Sequence, residues 1–97
     1  MNKTDTARLH AIIEGSVQGV GFRYFVLNQA NGLELTGWVR NIHYNGVEII
    51  AEGRRQELEQ LLCELRMGPD SARVDNVRSE WGEYSGKFPS FDVHPSA

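Results

Sequence analysis

With 97 residues, 40% of them hydrophobic and 24% charged, the chain has the composition of one globular domain. Ten basic against thirteen acidic side chains give a net charge of −3, which excludes a general nucleic-acid binder that works by neutralising phosphates. No apolar run reaches the roughly 20 residues of a membrane helix, the opening MNKTDTARLH lacks the apolar centre of a signal peptide, and the single Cys63 cannot close an internal disulfide. The expectation is a cytoplasmic protein with neither membrane nor nucleic-acid partners.

Residues 1–7 are polar and read as a flexible N-terminal tail, leaving one domain over 8–94. In 8–15 (RLHAIIEG), Leu9, Ala11 and Ile13 recur at every second position, the period of a strand. A loop holding Gly15, Gly19 and Gly21 follows. Phe22, Phe25, Val26, Gln29, Ala30 and Leu33 then mark a helical stripe with one polar interruption. Segments 35–41 (LTGWVRN) and 46–53 (GVEIIAEG) read as strands of a hairpin, with Asn45-Gly46 as the turn signal. Leu58, Leu61, Leu62 and Leu65 define a second amphipathic helix, stopped by Gly68-Pro69. Segment 72–81 is a fourth strand, and 88–93 a short closing strand after a turn at Ser85-Gly86. The order is β-α-β-β-α-β, and right-handed crossovers place both helices on one face of an antiparallel sheet. The fold class is α+β, a ferredoxin-like sandwich with a short extra C-terminal strand.

The loop GSVQGVGFR (15–23) runs from a strand into a helix. Its glycines tolerate positive φ, so successive backbone N–H groups can converge on one point. The helix start adds unpaired donors and a partial positive charge. Arg23 lies off the apolar stripe, and its planar guanidinium offers two parallel donors to a phosphoryl group. Three familiar loops are excluded. A Walker loop needs Lys-Ser/Thr where Phe22-Arg23 stand, a dinucleotide loop needs Gly at Tyr24, and a cysteine phosphatase needs Cys at Val17. Shape alone leaves two readings open: an oxyanion cradle, and a structural turn with a salt-bridged surface Arg.

VQGVGFR (17–23), together with GWVRN (37–41), NGVEIIAEG (45–53), GPDSARV (68–74) and FPSFDV (88–93), resembles the acylphosphatases over nearly the whole chain, residues 8–93. The resemblance implies hydrolysis of the carboxyl–phosphate bond of small acyl phosphates to a carboxylate and inorganic phosphate, without metal or cofactor. A monomer is expected. Carried over, Arg23 is the phosphate-binding residue, Asn41 positions the attacking water, and the backbone amides of Ser16, Val17, Gln18, Gly19, Val20 and Gly21 line the cradle. One departure stands out. The family often has Gly before the Leu of Leu-Thr-Gly-Trp, where this chain has Glu34, so the first helix must either strain Glu34 or end differently, at Gly32.

The remaining chemistry-bearing residues read as structural. His10, His43 and His94 are too scattered for a zinc site, and Cys63 beside Leu62 is a passive thiol. Glu48 and Glu52 share a strand face and read as solvated rather than as an acid–base pair. Trp38 and Phe22 read as core rather than as an acyl pocket, and Arg40 as an exposed strand charge. Two other classes remain in view. The acylphosphatase-like domain of a hydrogenase-maturing carbamoyltransferase typically has Pro after the Arg, where this chain has Tyr24. A nucleic-acid-binding ferredoxin-like sheet would need stacking aromatics on its central strands, and LHAIIE and VEIIAE have none.

Overall fold

In this computed structural model, which describes residues 5–43 and 45–97, the elements are β1 (Thr6–Ser16), α1 (Phe22–Gly32), β2 (Thr36–Ile42), β3 (Gly46–Arg54), α2 (Arg55–Met67), β4 (Arg73–Gly82) and β5 (Phe91–Val93). They form a five-stranded sheet of order β4-β1-β3-β2-β5. β1 pairs antiparallel with β3 and β4, and β2 antiparallel with β3. The short β5 pairs parallel with β2, so the sheet is mixed at that edge. Because β3 lies between β1 and β2, each β-α-β unit must cross over a strand, as the ferredoxin-like reading requires.

One face carries the core. The β1–β3 register sets Leu9 opposite Ala51, Ala11 opposite Ile49 and Ile13 opposite Val47, all fully buried. Phe22, Val26 and Ala30 of α1 and Leu58, Leu61, Leu62 and Leu65 of α2 cover that face. Each large apolar side chain so buried contributes about 1.5–3 kcal/mol. Phe22 is thus core, as its spacing predicts.

Several expectations are corrected at the element ends. β1 begins at Thr6, opposite Arg54, and Ala7 is buried. Of the expected tail at 1–7, residues 1–4 lie outside the described residues. The hairpin pairs Ile42 with Gly46, so β2 runs one residue past the expected 35–41 and the connection is 43–45. His43 takes the left-handed conformation there (φ 55°), while Tyr44 lies outside the described residues. Gly46 is the first residue of β3, and a Cβ on it would press on Ile42 at 3.1 Å. β5 starts only at Phe91, past Pro89, which has no N–H for a ladder.

The other sheet face also departs from expectation. Trp38 stands on it, outside the core, stacked on His94 at 5.4 Å and capped by the Arg40 guanidinium at 4.9 Å. Glu52, read as solvated, is 1% exposed. The β4–β5 connection folds over it, and its carboxylate accepts from Ser85 N–H (3.0 Å), Ser85 Oγ (2.8 Å) and Gly86 N–H (3.0 Å). Glu48 is likewise occupied: it accepts from Arg40 Nε (2.9 Å) and pairs with Arg40 Nη2 and His10 Nε2, both at 2.8 Å. Arg40 is therefore an ion-paired strand residue.

α1 ends as the Glu34 departure foreshadows. Leu33 closes the helix, Glu34 is left-handed (φ 58°), and two reversed bonds follow: Glu34 N–H to Asn31 O (3.1 Å) and Leu35 N–H to Ala30 O (2.9 Å). This is a Schellman cap with a side chain where glycine is preferred, and the buried Ala30 and Leu35 supply its usual apolar contact. Satisfying the last carbonyls outweighs the strain. Relief of a left-handed Cβ is worth about 1–2 kcal/mol, against about 0.4–1 kcal/mol of added unfolded-state freedom. Glu34→Gly should therefore raise Tm by a few degrees in thermal unfolding followed by circular dichroism; an unchanged or lower Tm would show that Glu34 sits there without strain.

A second expectation concerns acid stability. Burial alone would raise the Glu48 carboxyl, but hydrogen bonds and charge from His10 and Arg40 outweigh it, leaving the pKa below the ordinary glutamate value. A depressed folded pKa stabilises the protein above the unfolded value, about 4.3, and that stabilisation is lost as pH falls through the folded pKa. The Tm difference between the parent and Glu48→Gln should be wide at pH 6 and close below about pH 4. A difference constant from pH 6 to pH 3 would mean that the charge on Glu48 contributes nothing.

Candidate active site

The loop between β1 and α1 owes its path to a backbone collision avoided. The β1–β4 register shifts between Glu14 and Gly15. A Cβ on Gly15 (φ 145°) would lie 2.1 Å from the Arg73 carbonyl oxygen, so only glycine allows β4 to pass there. The Gly15 N–H is free to turn to the hairpin, where it donates to Asn45 O (3.0 Å). Ser16 is the last residue of β1, opposite Arg73, and Val17 drives its side chain into the core, 1% exposed. Beyond it the chain turns through Gly19 and Gly21, both near φ 75° (73° and 76°), with open space where their Cβ atoms would stand.

That conformation leaves donors without partners. Among the described residues, no acceptor takes the backbone N–H of Gln18, Gly19, Val20, Gly21, Phe22 or Arg23, and the first helical bond runs from Phe25 N–H to Gly21 O. α1 has no side-chain cap and no acid in its first turn, so the positive end of its dipole is uncompensated. Arg23 is half-buried in that first turn and has no hydrogen bond or ion pair among the described residues. Arg8, Arg40, Arg55, Arg73 and Arg78 each have a carboxylate, and Arg54 and Arg66, which like Arg23 have none among the described residues, are exposed to solvent rather than half-buried. The alternative of a salt-bridged structural Arg23 finds no carboxylate among the described residues.

Asn41 sits near the end of β2, opposite Val47. Its backbone carbonyl accepts from Ala97 N–H (3.0 Å), but its Oδ1 is buried and accepts from no described residue. The one comparable atom, Arg8 Nε, has Glu52 at 3.7 Å. A buried acceptor without a donor costs about 1–3 kcal/mol and is uncommon in folded proteins. Arg23 and Asn41 are 18 positions apart, and the loop and the strand end are brought together by a side chain that the sequence reading used only for its backbone. Gln18 Nε2 donates to the carbonyls of Ile42 (3.0 Å), His43 (3.0 Å) and Gly46 (2.8 Å). A long amide among glycines, with no acid or base to serve, was the available signal. Ser71 Oγ holds the loop from the other side, donating to Val20 O (3.0 Å).

The other candidates do not join this site. His10 is bound to Glu48, His94 to Trp38, and Cys63 is exposed on α2. Among the described residues no three His, Cys, Asp or Glu side chains are grouped to hold a metal ion. No helix is long and apolar enough to cross a membrane among the described residues.

The fold is a ferredoxin-like sandwich, and its uncapped helix start, free loop amides and unpaired arginine have the chemistry to hold an anion. The comparisons with known proteins narrow the class. Residues 9–93 match the family model described as Acylphosphatase. An acylphosphatase of Caldanaerobacter subterraneus subsp. tengcongensis is 40% identical over 86 residues, covering 89% of this chain and 96% of that protein. The solved structure of an acylphosphatase from Coxiella burnetii superposes with a TM-score of 0.89 at 35% identity, over 97% of this chain and 98% of that one. The chain belongs to the acylphosphatase family, whose members hydrolyse acyl phosphates. Full-length HypF in its phosphate- and nucleotide-bound form also contains the fold, with a TM-score of 0.86 at 30% identity, but the match spans 94% of this chain and only 12% of HypF.

Proposed function

We propose that this chain hydrolyses the carboxyl–phosphate bond of acyl phosphates with Arg23 and the loop amides holding the phosphoryl group and Asn41 orienting the attacking water, without a metal ion. One observation carries the reading. The loop amides, Arg23 and Asn41 Oδ1 all lack partners among the described residues, while Gln18 ties the loop to the strand end that bears Asn41. Unpaired donors suit the phosphoryl oxygens, and a buried unpaired acceptor suits a proton of water.

An acyl phosphate already has a good leaving group, so neither a strong nucleophile nor a leaving-group acid is required. Water oxygen bonds to phosphorus as the bond from phosphorus to the acyl oxygen breaks, and the carboxylate leaves with the electron pair. A phosphoryl oxygen takes the water proton. The protein holds the oxygens, stabilises their charge and keeps the water in line. Asn41 has no useful pKa, but its amide can both accept and donate.

Turnover of an aryl acyl phosphate, with a phosphomonoester and an excess of chelator as controls, tests the proposal. Arg23→Ala should lower kcat/KM by roughly 100–1,000-fold, the cost of about 3–4 kcal/mol for one lost transition-state donor. Arg23→Lys should fail nearly as badly, because a point charge cannot reproduce the two-pronged contact. Near-parental activity in the Lys variant, or a loss on chelation restored by a divalent ion, would overturn this assignment.

Asn41→Asp separates orientation from base catalysis. A protein base would be retained or improved by a carboxylate of nearly the same shape. If Asn41 orients water, the change removes the N–H donors and sets a negative charge beside the phosphoryl group, at about 5 Å costing on the order of 3 kcal/mol. Activity should fall about as far as in Asn41→Ala, with the fold intact by thermal unfolding. A folded Asp variant as active as the parent would remove Asn41 from the water-positioning role.

A further inference from the structure

Gln18 lies in the middle of the loop, yet its side chain turns to the β2–β3 hairpin. Nε2 has three carbonyl oxygens within 3.0 Å, those of Ile42, His43 and Gly46. An amide carries two N–H hydrogens, so at least one is shared between carbonyls. The three carbonyls belong to the end of β2, the connection and the start of β3, so a single side chain closes the hairpin and fastens it to the loop. The backbone supplies one further tie on this side, Gly15 N–H to Asn45 O at 3.0 Å.

The placement matters because the two halves of the proposed chemistry lie on different segments. The amides and Arg23 belong to the loop and α1, whereas Asn41 belongs to β2, immediately before Ile42. We infer that Gln18 is a positioning residue whose side-chain amide sets the offset between the phosphate cradle and Asn41. This inference rests on the function proposed above. Without Nε2, three converging carbonyl oxygens lose their common donor and repel one another, leaving the Gly15 N–H bond to Asn45 O and the β1–β3 ladder, neither of which fixes the end of β2 against the loop. The cradle keeps its own amides, the start of α1 and Arg23. Loss of Gln18 therefore misaligns water while leaving the hold on phosphate, and a misplacement near 1 Å costs on the order of 100-fold.

Gln18→Met keeps the length and bulk of the side chain and removes the donors; Gln18→Ala removes both. For each, kcat and KM are measured with an aryl acyl phosphate. Affinity for inorganic phosphate is measured by backbone amide chemical shifts, which need no activity. Both variants should lose roughly 10–100-fold in kcat while phosphate affinity stays close to that of the parent. A Met variant with parental kcat would overturn the inference, because bulk rather than hydrogen bonding would then suffice. A fall in phosphate affinity that matches the fall in kcat would also overturn it, by making Gln18 part of the cradle itself. A parent that does not hydrolyse the acyl phosphate would sink the underlying reading and this inference together; an active parent with active Gln18 variants would sink this inference alone.

Discussion

The antiparallel ladder between β1 and β3 is the constraint on which the rest of the molecule depends. It pairs the two strands that carry most of the core face and sets Ile13 against Val47 at one end. The same register brings Glu14 opposite Gly46, so the point where β1 leaves the sheet adjoins the β2–β3 connection. β2 is in turn paired to β3 with Asn41 opposite Val47. A glycine loop and a strand-end asparagine that are remote in sequence thereby meet at one end of the sheet. Slipping this ladder by one residue would turn Leu9, Ala11 and Ile13 outward, so the apolar pattern that makes the core also fixes where the loop and Asn41 lie.

Polar groups divide along the same line. On the open face, buried or half-buried charges are answered: Glu48 by His10 and Arg40, Glu52 by Ser85 and Gly86. At the loop the reverse holds, and N–H groups, a guanidinium and a carbonyl oxygen are left without partners among the described residues. Open N–H groups and a guanidinium at one place suit an anion, which is why the proposed phosphate site is set there. Backbone strain is spread differently. The left-handed Glu34 sits at a helix end, where two reversed hydrogen bonds compensate, and has no part in the loop.

Much of the candidate site was legible in the sequence because the features that suggest it are local. A run of glycines feeding a helix start can be read as converging amides without knowing what lies opposite, and Arg23 is in that run. Asn41 was legible only through its motif, since an asparagine at a strand end has no distinctive spacing. Gln18 was read for its backbone alone. Its partners are 24 to 28 residues away, and no local pattern shows that three carbonyls will converge on one amide. Glu52 was misread for a related reason: strand alternation put it on the open face, but the connection that covers it follows a later strand.

By itself the sequence determined the order and type of elements, the core positions and the presence of a glycine loop feeding a helix start, because periodicity, glycine and helix polarity act over a few residues. Only the tertiary structure decided which distant groups meet. The parallel pairing of β5, the stack of Trp38 on His94, the burial of Glu52 and the fastening of Gln18 to the hairpin all depend on strand order and register. Those are set by the summed burial of the whole core, a quantity that no short stretch of the chain contains.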